Sequence, residues 1–456
     1  MNKYSQSVNI SKTLIFYLFL LGVCLIPYDK LPFLDYSTYS PSAIFPFLGA
    51  FFWLMITKHK IDKNDFWLIL FCFISIIHSL LSGIVHQNLI VALKHIVTLI
   101  VGTSIFFTVR YVFTELLHKN ESRIFENILF LSLIIPIFLG YVQLINQLGF
   151  ANNFATQLTS LFAKNVYEGR IQMVSSEPSW ATIHLLTLGV IVFVLKSRGK
   201  KFLYLFVFML ILFVSIFSLY GYGVIIMSFI LFGLLATSIK NRFKIIVIIV
   251  SSLIIIFFFI PWVLQIFDIY GYYVSRFDYR YLFSSEFLRE DGSAFVRIVF
   301  PLIGVMQFLD NPFGTGGGFY YINFAQYLEK YFSYGLVFPE VVYNTFVNPE
   351  NANPRNLYVK LLSEEGIVNT SIFLIFLVGV LKKCRENYSK YAFCLAVSLL
   401  VNFDSYAFVD FWFLLAVASS GYLDNVKGKD ERQCELLLMQ ENSQKIKQEL
   451  ETISRI

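Results

Sequence analysis

Apolar runs recur along the whole chain, each close to the length of about 20 residues that a helix needs to cross a bilayer core. They lie near 13–28, 42–57, 66–84, 89–109, 124–148, 178–195, 202–219, 221–239, 245–262, 366–381, 391–404 and 407–423. The pattern predicts an all-α, polytopic integral membrane protein of about 12 transmembrane helices. Short polar loops separate most of the runs. The long stretch 263–355 breaks the rhythm, and inside it 294–309 is apolar but short for a span. That stretch predicts a helix lying on the membrane or dipping into it.

Charge in the loops gives the chain a direction. Loops at 58–63, 110–123, 196–201, 240–244 and 382–390 carry seventeen Lys and Arg, whereas the alternate short loops carry only Lys30, Lys164 and Arg170. Basic loops stay in the cytoplasm, so both termini are expected to be cytoplasmic. The segment 263–355 then becomes one large extracytoplasmic loop. It holds six basic and nine acidic residues, with eleven Tyr and thirteen Phe, and so is too apolar for a mere linker. The expected organisation is a multi-span membrane domain at 1–423 that includes this loop, followed by a charged cytoplasmic tail at 424–456. The run after residue 12 has no small-residue cleavage site and reads as a retained span.

Composition narrows the function classes. Hydrophobic residues make up 57% of the chain and charged ones 14%, against roughly 25% charged in soluble domains. A mean hydropathy of +0.66 excludes a soluble globular enzyme and a disordered chain. The net charge of +6 forms no basic stripe, so no nucleic-acid partner is expected. Five cysteines with no CxxC or Cys/His spacing predict neither a disulfide framework nor a zinc site. No internal repeat is visible, which weakens a transporter built from two similar halves.

Three polar constellations interrupt the apolar pattern. The first runs from Arg170 through Ser-Glu-Pro-Ser at 176–179 to Trp180. Pro178 suits the first turn of a helix, which leaves Ser176 or Glu177 at its cap. Arg170 offers a fork suited to phosphate oxygens, and Glu177 can accept from a sugar hydroxyl. On a regular helix Trp180 and His184 share the face of Glu177. The plainer reading is a capping Glu177 and a snorkelling Arg170. The second is Arg297, set within apolar sequence, followed by Asn311-Pro-Phe-Gly-Thr-Gly-Gly-Gly at 311–318. An arginine there needs a partner or an anion. The glycines read more readily as a flexible turn than as a phosphate loop, since no Gly-Lys-Ser/Thr follows. The third, 353–366, brings Arg355, Lys360, Glu364 and Glu365 to the start of a span. Its plainer reading is an interfacial helix start with an Arg/Glu pair. Lys94 and His95 read as residues near the outward end of a span, free to snorkel. His78 and His184 read as packed histidines, and Asp404 and Asp410 as residues of an outward helix turn. No Asp-x-Asp, Gly-x-Ser-x-Gly or His-Glu-x-x-His occurs.

Taken in this order and on the outward side, these motifs resemble the O-antigen ligase/polymerase superfamily of bacterial envelope enzymes. The matching residues are Arg170 with Ser-Glu-Pro-Ser at 176–179, Arg297 with Asn311-Pro-Phe-Gly-Thr-Gly, and Arg355-Asn-Leu-Tyr with Glu365-Gly366. Within that superfamily the Ser-Glu-Pro-Ser segment looks most like Wzy-type polymerases of O-antigen, capsule or exopolysaccharide. Ligases usually have His-Asn where this chain has Arg355-Asn356, which lowers the ligase reading. The resemblance implies a metal-independent glycosyltransferase of the bacterial cytoplasmic (inner) membrane, with no cofactor. Its donor would be an oligosaccharide on undecaprenyl diphosphate, and its acceptor the non-reducing end of another lipid-linked repeat. A chain-length regulator and a flippase are the implied partners. On this reading Arg170, Arg297 and Arg355 bind pyrophosphate. Glu177 is the first choice for the base that takes the acceptor proton, and Glu365 the second. The alternatives are ligase-type transfer to another acceptor, a non-enzymatic lipid-glycan transporter, and a sensor or assembly protein.

Overall fold

The structure, a computed structural model, describes residues 3–32, 41–57, 62–147, 152–167, 170–216, 218–235, 286–401 and 403–424, with a few positions between 243 and 251. The described residues form helices and no strand. Those of eight or more residues are α1 (Lys3–Leu25), α2 (Pro41–Ile56), α3 (Lys63–Val85), α4 (Leu89–Tyr111), α5 (Lys119–Gln147), α6 (Asn152–Ser160), α7 (Pro178–Leu195), α8 (Lys200–Ser215), α9 (Leu219–Leu235), α10 (Gly292–Asp310), α11 (Phe324–Phe332), α12 (Gly366–Lys383), α13 (Asn387–Leu399) and α14 (Val409–Ser420).

Six described helices are long and apolar enough to cross a membrane, or seven if α8 and α9 are taken as one bent span. Shorter apolar helices occupy Ile10–Leu25, Ser42–Ile56 and Val409–Ser420. This is the helix content of a multi-pass membrane protein. Most of the run expected at 245–262, the first part of the 263–355 loop and the tail after 424 lie outside the described residues. The helix over the 294–309 stretch is longer than its apolar run. The Asp291 side chain accepts from the Ser293 and Ala294 amides and starts the helix early. The resulting α10 has 19 residues, enough to qualify as a span.

Burial follows the logic of a membrane rather than of water. On α3, Phe66, Phe73 and Leu81 face outward while Ser75, Ser79 and Ser82 are buried. A helix that exposes phenylalanine and hides serine puts its apolar face to lipid and its polar face to protein. At the centre lies α14, buried along nearly its whole length and packed on α4, α7, α12 and α13. A helix apolar on all sides belongs in such a place. A buried ion pair, Arg110 on Asp65, ties the end of α4 to the start of α3. A smaller apolar core of Phe295, Val299, Phe300, Tyr320, Phe324 and Val341 holds α10 and α11 together.

Backbone contact decides one position on α4. A Cβ on Gly102 would stand 1.9 Å from the Tyr406 carbonyl oxygen and 2.1 Å from Nε1 of Trp412. Trp412 Nε1 donates to that same carbonyl at 2.5 Å. Helix propensity favours alanine over glycine by about 1 kcal/mol. Overpacking costs about 1–3 kcal/mol, and losing a buried hydrogen bond adds a similar amount. Gly102→Ala is therefore expected to lower the thermal midpoint of the purified protein, read by tryptophan fluorescence. An unchanged midpoint would contradict the contact.

Candidate functional site

The loop before α7 is built on buried polar side chains. Gln143 Oε1 accepts from the amides of Gln172 (3.0 Å) and Met173 (2.8 Å), and its Nε2 donates to Thr159 Oγ1 and the Met173 carbonyl. Gln172 in turn accepts from the Tyr167 amide at 2.7 Å and donates to the carbonyls of Asn165 and Ser175. Ser176 donates through both its amide (2.7 Å) and its hydroxyl (2.6 Å) to Asp29, which lies just after α1. Two satisfied amides and a carboxylate thus fix a loop that has no regular structure of its own. Met173 is held at φ 56°, a conformation that side chains rarely adopt unless their surroundings force it.

That rigid loop brings Arg170 and Glu177 to one place. Tyr167 lies within reach of both charges. Burial pushes its hydroxyl above the ordinary range, Glu177 adds to the effect and Arg170 opposes it. The Arg170 guanidinium lies 6.0 Å from the Tyr167 ring centroid. Arg170, Tyr167, Gln143, Asn146, Thr156 and Thr159 line a small polar cleft. Glu177 takes the N-cap position of α7 with Pro178 directly after it. Its carboxylate accepts from Ser179 Oγ at 3.3 Å rather than from a helix amide. One turn on, the Trp180 and His184 rings stand 6.1 Å apart. His184 is buried and its Nδ1 lies 3.1 Å from Asp410 Oδ1. Asp410 lies in the first turn of α14 and is buried there.

Asp29 anchors this loop at an electrostatic cost. Burial pushes its carboxyl above the ordinary range, opposed by nearby His184 and by the Ser176 hydrogen bonds. A raised acid favours the fold when protonated. The contribution is full below the unfolded value of about 3.9 and is lost as the pH climbs through the raised folded value. The stability of the wild type relative to Asp29→Asn is therefore expected to fall with rising pH. Thermal unfolding of both proteins across the acidic range checks this, and parallel curves would contradict it.

A second polar cluster lies inside the bundle, around Glu365. One oxygen of Glu365 accepts from Ser75 Oγ at 2.5 Å and lies 3.0 Å from His95 Nε2, while the other accepts from Asn369 at 2.8 Å. Glu365 is 3% exposed and His95 4%. Glu364 accepts from the Gly318 amide at 2.7 Å and has Lys360 at 3.9 Å and His95 Nδ1 at 3.8 Å. Both carboxylates come inward because Leu361–Glu365 is a π-helical turn, wider than the α-helix. The glycine loop closes over this cluster. The amides of Thr315 and Gly316 donate to the carbonyls of Ser363 (3.0 Å) and Glu364 (2.8 Å), and the Ile367 amide donates to Pro312 O. A Cβ on Gly317 would meet His95 Nε2 at 2.2 Å. One on Gly316, whose φ is +94°, would meet Ser82 Oγ at 2.0 Å. The loop is a close-fitting cover, not the free turn its composition suggests.

The remaining sequence candidates lie elsewhere. Arg297 is exposed on α10 and donates to Ser293 Oγ. Arg355, held at φ 52°, pairs with Glu340 at 2.7 Å, so its acidic partner comes from the loop and not from the 353–366 motif. Glu340 belongs to a short helix whose Val341 packs in the small core with Phe295, two residues from Arg297. Arg170 and Glu177 thus gather around Tyr167, whereas Arg297 and Arg355 border the α10 core. The hydrogen-bond partners of Glu365 are His95, Ser75 and Asn369, and no arginine is among them. The segment 403–408 links the two clusters. Trp180 packs on Phe403 and Phe408, and Tyr406 packs edge-on to His95 beneath Lys360.

His95 corrects its expectation. Lys94 is the exposed neighbour, 3.7 Å from Glu350, while His95 is enclosed because the serine face of α3 and the glycine cover lie against it. The signal for this was available in Ser75, Ser79 and Ser82, whose spacing puts three hydroxyls on one helix face. Among the described residues no cluster of His, Cys, Asp and Glu is arranged to hold a metal ion. The chain matches no protein-family description, no curated protein and no solved structure.

Proposed function

We propose that the chain is a membrane polysaccharide polymerase that transfers an undecaprenyl-diphosphate-linked glycan onto the non-reducing end of a second lipid-linked repeat, on the extracytoplasmic face. The observation that carries this reading is the meeting of Arg170 and Glu177 around Tyr167, beside a polar cleft at the start of an apolar helix. A polyprenyl diphosphate keeps its tail in lipid and its charge at the interface, where that helix would begin. Diphosphate is a good leaving group. It needs a cation to stabilise the charge that grows on it as the glycosidic bond breaks, and Arg170 supplies one. Glu177 accepts the proton of the attacking hydroxyl. Arg297 and Arg355 are the further proposed pyrophosphate ligands. Glu365, enclosed by its three partners, acts as a positioning residue that holds the glycine cover and the start of α12.

The test is elongation of a defined undecaprenyl-diphosphate oligosaccharide by the purified protein in the presence of a chelator. A ladder of longer lipid-linked products supports the reading. Glycan moved to a different lipid acceptor would make the protein a ligase. A second reading, a lipid-glycan transporter, draws on Glu364, Glu365 and His95 buried within the bundle, where ionisable groups often mark a transport path. Movement of labelled lipid-linked glycan across vesicles, with no change in its length, would favour that reading instead.

A further inference from the structure

A large apolar cavity lies between α7, α8, α9 and α13, and neither Arg170 nor Glu177 lines it. Its volume is about 570 Å3, within the roughly 300–1,000 Å3 of sites that take small molecules. Met209, Phe213, Phe229 and Phe232 make its walls apolar, while Lys244 and Lys390 stand at its polar rim beside Asn387. Among the described residues no acidic side chain lines it. Lys196 adds positive charge next to a wall residue, its Nζ 3.5 Å from the centroid of Phe193. Leu210 lines the cavity and is 50% exposed, so the space opens onto the lipid-facing flank.

These features select an occupant. Apolar walls open to the bilayer admit a hydrocarbon chain, and a rim of lysines without an acid attracts a phosphate. Basic pockets between membrane helices bind anionic headgroups in this way. The cavity uses the Leu185–Phe193 half of α7, the end that runs into Lys196 and the basic loops. By loop charge that end faces the cytoplasm, opposite to Glu177. We propose that the cavity holds one acyl chain of an anionic glycerophospholipid, with its phosphate between Lys244 and Lys390. The occupant belongs to the leaflet opposite the proposed donor and is not the substrate.

The test uses the full chain, purified in mild detergent and titrated with phosphatidylglycerol or with phosphatidylcholine of the same acyl chains. Native mass spectrometry reads the retained lipid. One phosphatidylglycerol should survive gas-phase activation, in preference to phosphatidylcholine. The double variant Lys244→Ala/Lys390→Ala should weaken that preference about thirtyfold, the product of two basic contacts near a phosphate. Gly189 provides an independent variant. A Cβ there meets only Met209 Cε at 3.8 Å, so a side chain can start from this wall position, and Gly189→Leu is chosen to occupy the cavity. It should abolish retention of both lipids with the thermal midpoint preserved. Equal retention of the two lipids by the wild type would overturn the proposal. So would phosphatidylglycerol retained undiminished by Gly189→Leu, or its displacement by undecaprenyl phosphate at equal concentration.

Discussion

Replacing His95 by alanine is expected to destabilise the protein by about 3–5 kcal/mol, the combined cost of a cavity in a packed interior and of a buried carboxylate left short of a hydrogen-bond partner. The argument rests on what would remain. Glu365 would keep Ser75 and Asn369 but lose the nitrogen 3.0 Å from its oxygen. The ring also supports the cover, since the backbone of Gly317 approaches it so closely that no Cβ fits. Removing it leaves a cavity against Tyr406, whose ring centroid is 5.2 Å from that of His95. Cavity and electrostatic terms therefore add. His95→Gln, which keeps a donor and part of the volume, should lose about half as much. Thermal unfolding in detergent, followed through the tryptophans, measures both. An alanine variant as stable as the wild type would show that these contacts do not hold the cluster together.

Glu177→Gln and Arg170→Ala should do the opposite, with folding preserved and the proposed elongation lost. Among the described residues the half-buried Glu177 receives the Ser179 hydroxyl, and buried hydrogen bonds from Gln143, Gln172 and Asp29 hold the loop. Removing a general base typically costs about 10²–10⁴ in rate. Removing a group that stabilises a developing oxyanion costs about 10²–10³. In the elongation assay Glu177→Gln should give little product beyond the starting oligosaccharide, with an unchanged thermal midpoint. Arg170→Lys should retain more activity than Arg170→Ala, because it keeps the charge but not the fork. Full-length polymer from both Arg170→Ala and Glu177→Gln would end the assignment.

The apolar runs gave the helices their places, because a run of about 20 apolar residues has few alternatives in a chain this hydrophobic. Pro178 marked the first turn of α7 for a local reason, its missing amide. The Glu365 cluster was less legible, because its members are distant in sequence. Ser75 and Glu365 are 290 positions apart, and Gly318 and Glu364 are 46 apart. His95 stands in an apolar run beside an exposed lysine, so local reading sends both outward. Only the serine face of α3 shows which way the ring must turn. The glycines at 314–318 announced a bend, but a bend pressed against a buried carboxylate has the same composition as one in solvent. Arg355 found Glu340 through a fold of the long loop that no periodicity encodes.

The wide turn at Leu361–Glu365 has a consequence for how such a chain can vary over evolution. Removing any one of its five residues would change which side chains the turn sends inward, because Gly366 at φ +73° fixes its junction with α12. Glu364 and Glu365 could then no longer both point at His95. Descendants that keep the two acids must keep the count of residues there, so insertions and deletions should be tolerated in the loops long before they are tolerated in this one turn.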